Sequence, residues 1–304
     1  MRGAVVTVGT FDGVHRGHQA VLARVGEVAR GSDLDRVAYA FDRPPRLLSE
    51  DGADPCLLLP QAVKMRLLTA WVDRVERADF EGVRDLSAAD FIERVLLERL
   101  AARAVVVGES FRFGRGREGD LSLLRRVGKA HGLRVVAVPP VVVGGESVSS
   151  TRIRALLALG RVGEARELLG RPPLLVGLVV AGDGLGRALG YPTANLALDP
   201  SVLRPGSGIY LAYAFWAGKK SPGLLYVGER PTVKGQTLRA EVHLLDSPEE
   251  ELYGRTLEVQ ILARLRDDRA FPSLAELRHE MDQDAERARA LLASSGENPR
   301  SILT

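Results

Sequence analysis

An apolar run, Ala4-Val5-Val6-Thr7-Val8, ends at Gly9, and from Gln19 the pattern becomes that of an amphipathic helix. Between them lies Gly9-Thr10-Phe11-Asp12-Gly13-Val14-His15-Arg16-Gly17-His18, with three glycines and two histidines spaced i, i+3. A buried strand that hands over to a helix through such a loop is the opening of a parallel α/β unit, with any ligand beyond the carboxyl end of the strand. Glycines let the backbone approach a ligand, and a helix start presents unpaired N–H groups and a positive dipole end. His15 and His18 are therefore expected to project toward an anion such as a nucleotide phosphate. The plainer alternative is a capped helix start with two satisfied imidazoles. The chain has 5 histidines, so two of them within four residues favour the phosphate site.

The same rhythm continues through the first half. Strands are expected at Ala4–Val8, Arg36–Phe41, Ala104–Val107 and Leu133–Pro139. Helices are expected near Gln19–Arg30, Pro60–Trp71, Ala88–Arg99 and Asp120–His131. Strands rich in β-branched residues alternating with amphipathic helices imply a parallel sheet with right-handed crossovers. Ser149-Ser150-Thr151-Arg152-Ile153-Arg154 follows a later strand and opens another helix, so it can converge on the first loop.

A length of 304 residues suggests two domains, and the pattern changes after Gly170-Arg171-Pro172-Pro173. Short strands at Val176–Val180, Ile209–Phe215, Gly223–Val227, Leu238–Leu244 and Thr256–Leu265 suggest an antiparallel barrel or sandwich. A helix closes the chain from Ser273, an N-cap with Glu276 three residues on, to about Ala293. Its stripe of Leu274, Leu277, Met281, Ala285 and Ala288 reads as packing, and the tail from Ser294 is expected to fray.

Composition removes several classes of function. Arginine supplies nearly all of the 42 basic residues, yet the formal net charge is +3 and no basic block is interleaved with aromatics, which argues against nucleic acid. Cys56 is the single cysteine, so no intrachain disulfide forms, as expected in a reducing compartment. The first residues lack a signal peptide's regions, and the longest apolar runs, Val135–Val143 and Leu174–Ala181, are too short to span a bilayer. A cytoplasmic protein without a membrane partner is expected.

The first site suits nucleotidyl transfer. An attacking phosphate is already ionised near neutral pH, so catalysis reduces to alignment and to stabilisation of charge on the α-phosphate and the leaving pyrophosphate. His15, His18, the amides around Gly9, Phe11, Gly13 and Gly17, the hydroxyls of Ser149, Ser150 and Thr151, and Arg154 are suitable parts. The second half has its own constellation. Gly182-Asp183-Gly184-Leu185-Gly186-Arg187 can lie over phosphates as a nest of N–H groups. Thr193 and Asn195, at i and i+2, share one face of an extended segment and can offer neutral oxygens to Mg²⁺, although spacing alone favours their simply bonding the turn. Glu241, facing inward from a barrel strand, can accept a proton from a substrate hydroxyl, or it can belong to a solvated strand face.

Taken together, these motifs resemble the bifunctional prokaryotic riboflavin kinase/FAD synthetase family along nearly the whole chain. The matching runs are Gly9–His18, Val107-Gly108-Glu109-Ser110-Phe111-Arg112-Phe113-Gly114 and Ser149–Arg154 in the first half. In the second they are Gly182–Arg187, Gly190–Asn195, Val227–Thr232, Glu241–Asp246 and Leu252-Tyr253-Gly254. The resemblance implies a Rossmann-like nucleotidyltransferase domain over 1–170, a kinase domain over 174–294 built on a six-stranded antiparallel β-barrel with a terminal helix, and a tail over 295–304. It implies ATP-dependent phosphorylation of riboflavin to FMN in the second domain, and adenylylation of FMN by ATP to FAD with release of pyrophosphate in the first. Thr193 and Asn195 match the Mg²⁺-binding pair and Glu241 the catalytic base. His15, His18 and Arg154 match phosphate-handling positions, and Ser110, Phe111 and Arg112 a flavin-binding run. Two positions depart from the pattern. Pro44 stands in Phe41-Asp42-Arg43-Pro44-Pro45 where many members carry histidine, and Ser110 stands where they carry an amide or carboxylate. Two alternatives follow, a riboflavin kinase with a weakened or inactive adenylyltransferase domain and a non-catalytic flavin- or nucleotide-binding regulator.

Overall fold

A computed structural model of the chain describes residues 2–42, 57–182, 186, 190–232, 235–246, 251–296 and 299–303. It divides into two compact units, residues 1–53 with 61–150 and residues 54–60 with 151–304. Among the predicted site positions, Pro44, Gly184 and Arg187 lie outside the described residues.

In the first unit five parallel strands take the order β3-β2-β1-β4-β5. They are β1 (Ala4–Gly9), β2 (Asp35–Phe41), β3 (Arg74–Ala78), β4 (Ala102–Gly108) and β5 (Arg134–Val138). Between them run α1 (Arg16–Ala29), α2 (Gln61–Thr69), the short turns α3 (Phe80–Val83) and α4 (Ala88–Asp90), and α5 (Leu121–Ala130). The central strands are buried on both faces, which is why β1 reads as an unbroken apolar run rather than an alternating one. The strand β3, Arg-Val-Glu-Arg-Ala, was not among the predicted strands. It is an edge strand whose charged side chains reach solvent, so its sequence lacks the apolar signature of the central ones. The helix expected over Ala88–Arg99 widens after α4 into a π-helical stretch, Phe91–Arg99, which carries Phe91, Ile92, Val95 and Leu96 into the core.

Strand order reverses at β1, which pairs with β2 on one side and β4 on the other. The crevice at such a switch point, beyond the carboxyl ends of the strands, is where open α/β sheets bind ligands. The loop carrying His15 leaves β1 at this edge, and the run Glu109–Arg112 leaves β4 beside it. A hairpin of β6 (Val142–Val143) and β7 (Glu146–Ser147) precedes α6 (Ser150–Ala158) and α7 (Val162–Leu169).

The second unit is a closed barrel in the order β10-β11-β12-β9-β8-β13. Its strands are β8 (Leu174–Val180), β9 (Thr193–Leu198), β10 (Gly208–Trp216), β11 (Lys219–Thr232), β12 (Gly235–Leu244) and β13 (Thr256–Arg266). Closure removes the edge that an open antiparallel sheet would expose. Alternation fills the interior with one face of each strand, including Ala240 and Val242 opposite Val227 and Leu225. Part of the outer face, Leu211, Leu224 and Leu262, packs against Ala285 and Ala288 of α8 (Leu274–Ser295). The expected cap holds, because the Ser273 hydroxyl accepts the Glu276 N–H at 3.2 Å.

Two expectations about the end of the chain are corrected. Leu274 is 58% exposed, and buried carboxylates Glu280 and Asp284 share the inner face of α8 with the small apolar residues, so the stripe is not simple packing. Nor does the tail fray throughout. The buried Glu258 carboxylate accepts the Ser301 hydroxyl at 2.8 Å and the N–H groups of Ile302 and Leu303 at 2.9 Å, while Gln260 donates to the Arg300 carbonyl at 2.7 Å. A charged acceptor sunk in strand β13 needs donors, and the last residues supply them.

Candidate active sites

The β1–α1 loop is built from strained backbone. Phe11 and Val14, like Gly13, take positive φ angles of 51°, 40° and 81°. For β-branched Val14 this is a rare conformation that surrounding contacts must hold, and such strain gathers at functional sites. The anchor is Ser150, the first residue of α6, whose hydroxyl donates to the Asp12 carbonyl at 2.9 Å. Gly17 lies close against the His15 ring, where a Cβ would sit 3.1 Å away and press on the imidazole. The two motifs far apart in the sequence therefore meet through a side-chain to main-chain hydrogen bond.

His15 is the N-cap of α1, its Nδ1 accepting the His18 N–H at 3.3 Å. In the neutral ring the proton then resides on Nε2. The rings of His15 and His18 stack with centroids 3.6 Å apart, and Phe11 meets His18 edge-on at 5.4 Å. His15 thus caps the helix, as the plainer reading of the sequence expects, and its ring stacks on that of His18. Thr151 and Arg154 follow on α6, Arg154 one turn beyond Ser150. At the end of β4, Ser110 and Arg112 are exposed, and half-buried Phe111 stacks on Phe113 at 5.4 Å.

Sequence reasoning passed over Lys64 on α2. It is 2% exposed, and its ammonium donates to the carbonyls of Phe41 at 2.6 Å and Asp42 at 3.1 Å, at the ligand edge of β2. Burial, partly offset by Asp12 and Asp42, pulls its pKa down to about 8. Between that value and the ordinary 10.5 the unfolded chain binds more protons, so stability rises with pH through this window. Below it the full desolvation cost, on the order of 3 kcal/mol, is present. The stability of the native protein relative to Lys64→Met should therefore grow from pH 7.5 to 9.5 in denaturant titrations. A pH-independent difference would contradict it.

In the second unit Thr193, Asn195 and Glu241 meet on one wall. Antiparallel register sets Glu241 opposite Asn195 and His243 opposite Thr193, and on the other side sets Glu241 opposite Tyr226. The Thr193 hydroxyl donates to Glu241 Oε2 at 3.1 Å, and Arg239 reaches within 3.9 Å of Oε1. Of the two orientations open to Glu241 from the sequence, the inward one is not found. Among the described side chains of β12, Ala240, Val242 and Leu244 are buried, so Glu241 points out of the barrel core into a cavity of about 700 Å³ beneath α8. A six-stranded interior has room for packed side chains only, and the ligand space lies outside it.

That cavity is lined on the strand side by Thr193, Asn195, Tyr226 and Glu241, and on the other by Phe271, Leu277 and Met281. Part of the stripe on α8 is thus a cavity wall. The helix is fastened by a buried ion network in which Arg266 of β13 pairs with Asp284 at 2.9 Å and Glu280 at 3.4 Å. Glu280 and Asp284 are spaced i, i+4, which places both on the helix face that carries Leu277, Met281 and Ala288. Tyr226 donates to Asp268 Oδ2 at 3.0 Å and so ties the loop after β13 to the same wall. Gly182 and Gly186 flank the start of β9. A Cβ on Gly182 would sit 2.0 Å from Asn195 Nδ2, and one on Gly186 2.3 Å from the Tyr191 carbonyl. Gly182 thus leaves the space that the Asn195 side chain occupies, and Gly186 lets the Tyr191 main chain approach.

Comparison with known proteins agrees with this division. The family model for FAD synthetase matches residues 1–152, and that for riboflavin kinase matches residues 169–292. The bifunctional riboflavin kinase/FMN adenylyltransferase of Escherichia coli K12 is 38% identical over 290 residues, covering 94% of this chain and 92% of its own. That of Pseudomonas fluorescens is 39% identical over 299 residues, covering 97% and 94%. A crystal structure described as a macrolide-efflux protein from Streptococcus pneumoniae superposes with a TM-score of 0.86 at 32% identity over 95% of both chains. No helix among the described residues is long and apolar enough to cross a membrane. With both domains present in order and whole-length relatives above 30% identity, the chain belongs to the bifunctional riboflavin kinase/FMN adenylyltransferase family.

Proposed function

We propose that residues 174–294 transfer the γ-phosphoryl group of ATP to the ribityl 5′-hydroxyl of riboflavin, and that residues 1–170 then join FMN to AMP from a second ATP. The observation that carries this reading is the convergence of Thr193, Asn195 and Glu241 on one wall of a large cavity. Glu241 takes the proton of the attacking hydroxyl as the new P–O bond forms and ADP departs. Thr193, its proton directed to Glu241, turns oxygen lone pairs outward, and Asn195 adds a carbonyl oxygen. Hard neutral oxygens next to a carboxylate suit Mg²⁺, and the pair would hold it. Bound there with ATP, the ion would neutralise charge on the phosphates.

For adenylylation, a phosphate oxygen of FMN attacks the α-phosphorus, the α–β bond breaks and pyrophosphate leaves. His15, His18 and the N-terminal amides of α1 would face the α-phosphate, with Arg154 and the hydroxyls of Ser149 and Thr151 on the leaving group. Gly182 and Gly186, in the run through Gly184 and Arg187, would lie along the kinase ATP. Ser110, Phe111 and Arg112 would border the flavin of the first site. All substrates are soluble small molecules, which fits a cytoplasmic enzyme.

The test is product analysis after incubation with riboflavin, ATP and Mg²⁺, resolving FMN from FAD. Both products are expected, FMN first. FMN without FAD, also when FMN is supplied, would favour a kinase with a weakened first domain, the reading that the short, exposed Ser110 supports. Neither product would leave the binding-regulator reading.

A further inference from the structure

The segment that enters β9 is held from two sides by residues outside the catalytic set. His243 Nδ1 lies 3.0 Å from the Pro192 carbonyl, and since a carbonyl only accepts, the ring donates through Nδ1–H. The Tyr191 ring leans on the His243 ring, with centroids 4.8 Å apart and planes at 58°. The Tyr191 hydroxyl in turn donates to Asp282 of α8. Pro192 has no N–H of its own to offer the ladder, so its carbonyl is the one main-chain group by which the residue can be tied. Pro192 immediately precedes Thr193, and register already sets His243 opposite Thr193 and Glu241 opposite Asn195.

From this geometry we infer that His243 is a positioning residue for phosphoryl transfer, fixing the Pro192 carbonyl so that Thr193 and Asn195 present their oxygens beside Glu241. This rests on the kinase reading above. His243 needs no contact with the reacting atoms for this role. A misplacement of an ångström in such groups costs rate far more than it costs binding. His243 borders the same cavity as Phe271, Leu277 and Met281, but its hydrogen bond is to the Pro192 carbonyl. The effect should therefore appear in kcat and in the Mg²⁺ concentration needed for half-maximal rate more than in riboflavin affinity.

The experiment uses full-length His243→Phe and His243→Asn. Phenylalanine keeps a ring against Tyr191 and removes the donor. The amide nitrogen of asparagine stands close to where Nδ1 stood and keeps it. His243→Phe should lower kcat for FMN formation about tenfold and raise the Mg²⁺ requirement severalfold. Riboflavin affinity, read by flavin fluorescence without nucleotide, should stay within twofold, and His243→Asn should recover most of the rate. A wild-type kcat in His243→Phe, no recovery in His243→Asn when its melting temperature equals that of the native protein, or a raised riboflavin KM at unchanged kcat would each overturn the proposal. Undiminished FMN formation by Glu241→Gln is a separate result, one that overturns the kinase reading itself.

Discussion

Glu241→Gln should reduce FMN formation by about 10²- to 10⁴-fold, the range a general base contributes. FAD formation from supplied FMN should stay within twofold. The substitution is nearly isosteric, and the amide oxygen can still accept the Thr193 hydroxyl that now reaches Oε2 at 3.1 Å. The wall of the cavity is thus kept while the proton acceptor is lost, so a fall in rate reports chemistry rather than collapse. Steady-state rates with riboflavin and with FMN as alternative substrates check it. A rate within tenfold of the native protein near neutral pH would remove Glu241 from the role of base.

His18→Ala should show the reverse selectivity, a loss of about 10²- to 10³-fold in FAD formation, comparable to removing a preorganised donor from a charge-stabilising site. FMN formation should be nearly unchanged. The cap of α1 survives the change, because the donor to His15 Nδ1 is the main-chain N–H of residue 18. What disappears is the second imidazole, stacked 3.6 Å from the first. Equal loss of both activities, with an unchanged melting temperature, would mean that the two reactions are coupled and would contradict independent sites.

Much of the first site was legible in the sequence because its parts are local. A glycine loop between an apolar strand and a helix start carries its geometry within ten residues, and the Ser149–Arg154 run declares a second helix start. Lys64 was not legible. A lysine in a helical pattern reads as a solvated face, and only the packing of α2 against the end of β2 buries it. The same holds for Glu280 and Asp284, ordinary surface acids by type that become buried partners of Arg266.

By itself the sequence determined the α/β character of the first half, the loop with its histidines, the short strands of the second half and the capped terminal helix. Those signals are periodicity, turn chemistry and capping, which neighbouring residues set among themselves. Tertiary structure alone decided that Thr193 and Glu241, 48 residues apart, share a hydrogen bond, and that they do so outside the barrel core. It also decided that the final residues close over Glu258. Strand register, the side of a barrel that a helix covers and the burial of a charge depend on the whole apolar surface being removed from water at once. No local stretch of this chain contains that information.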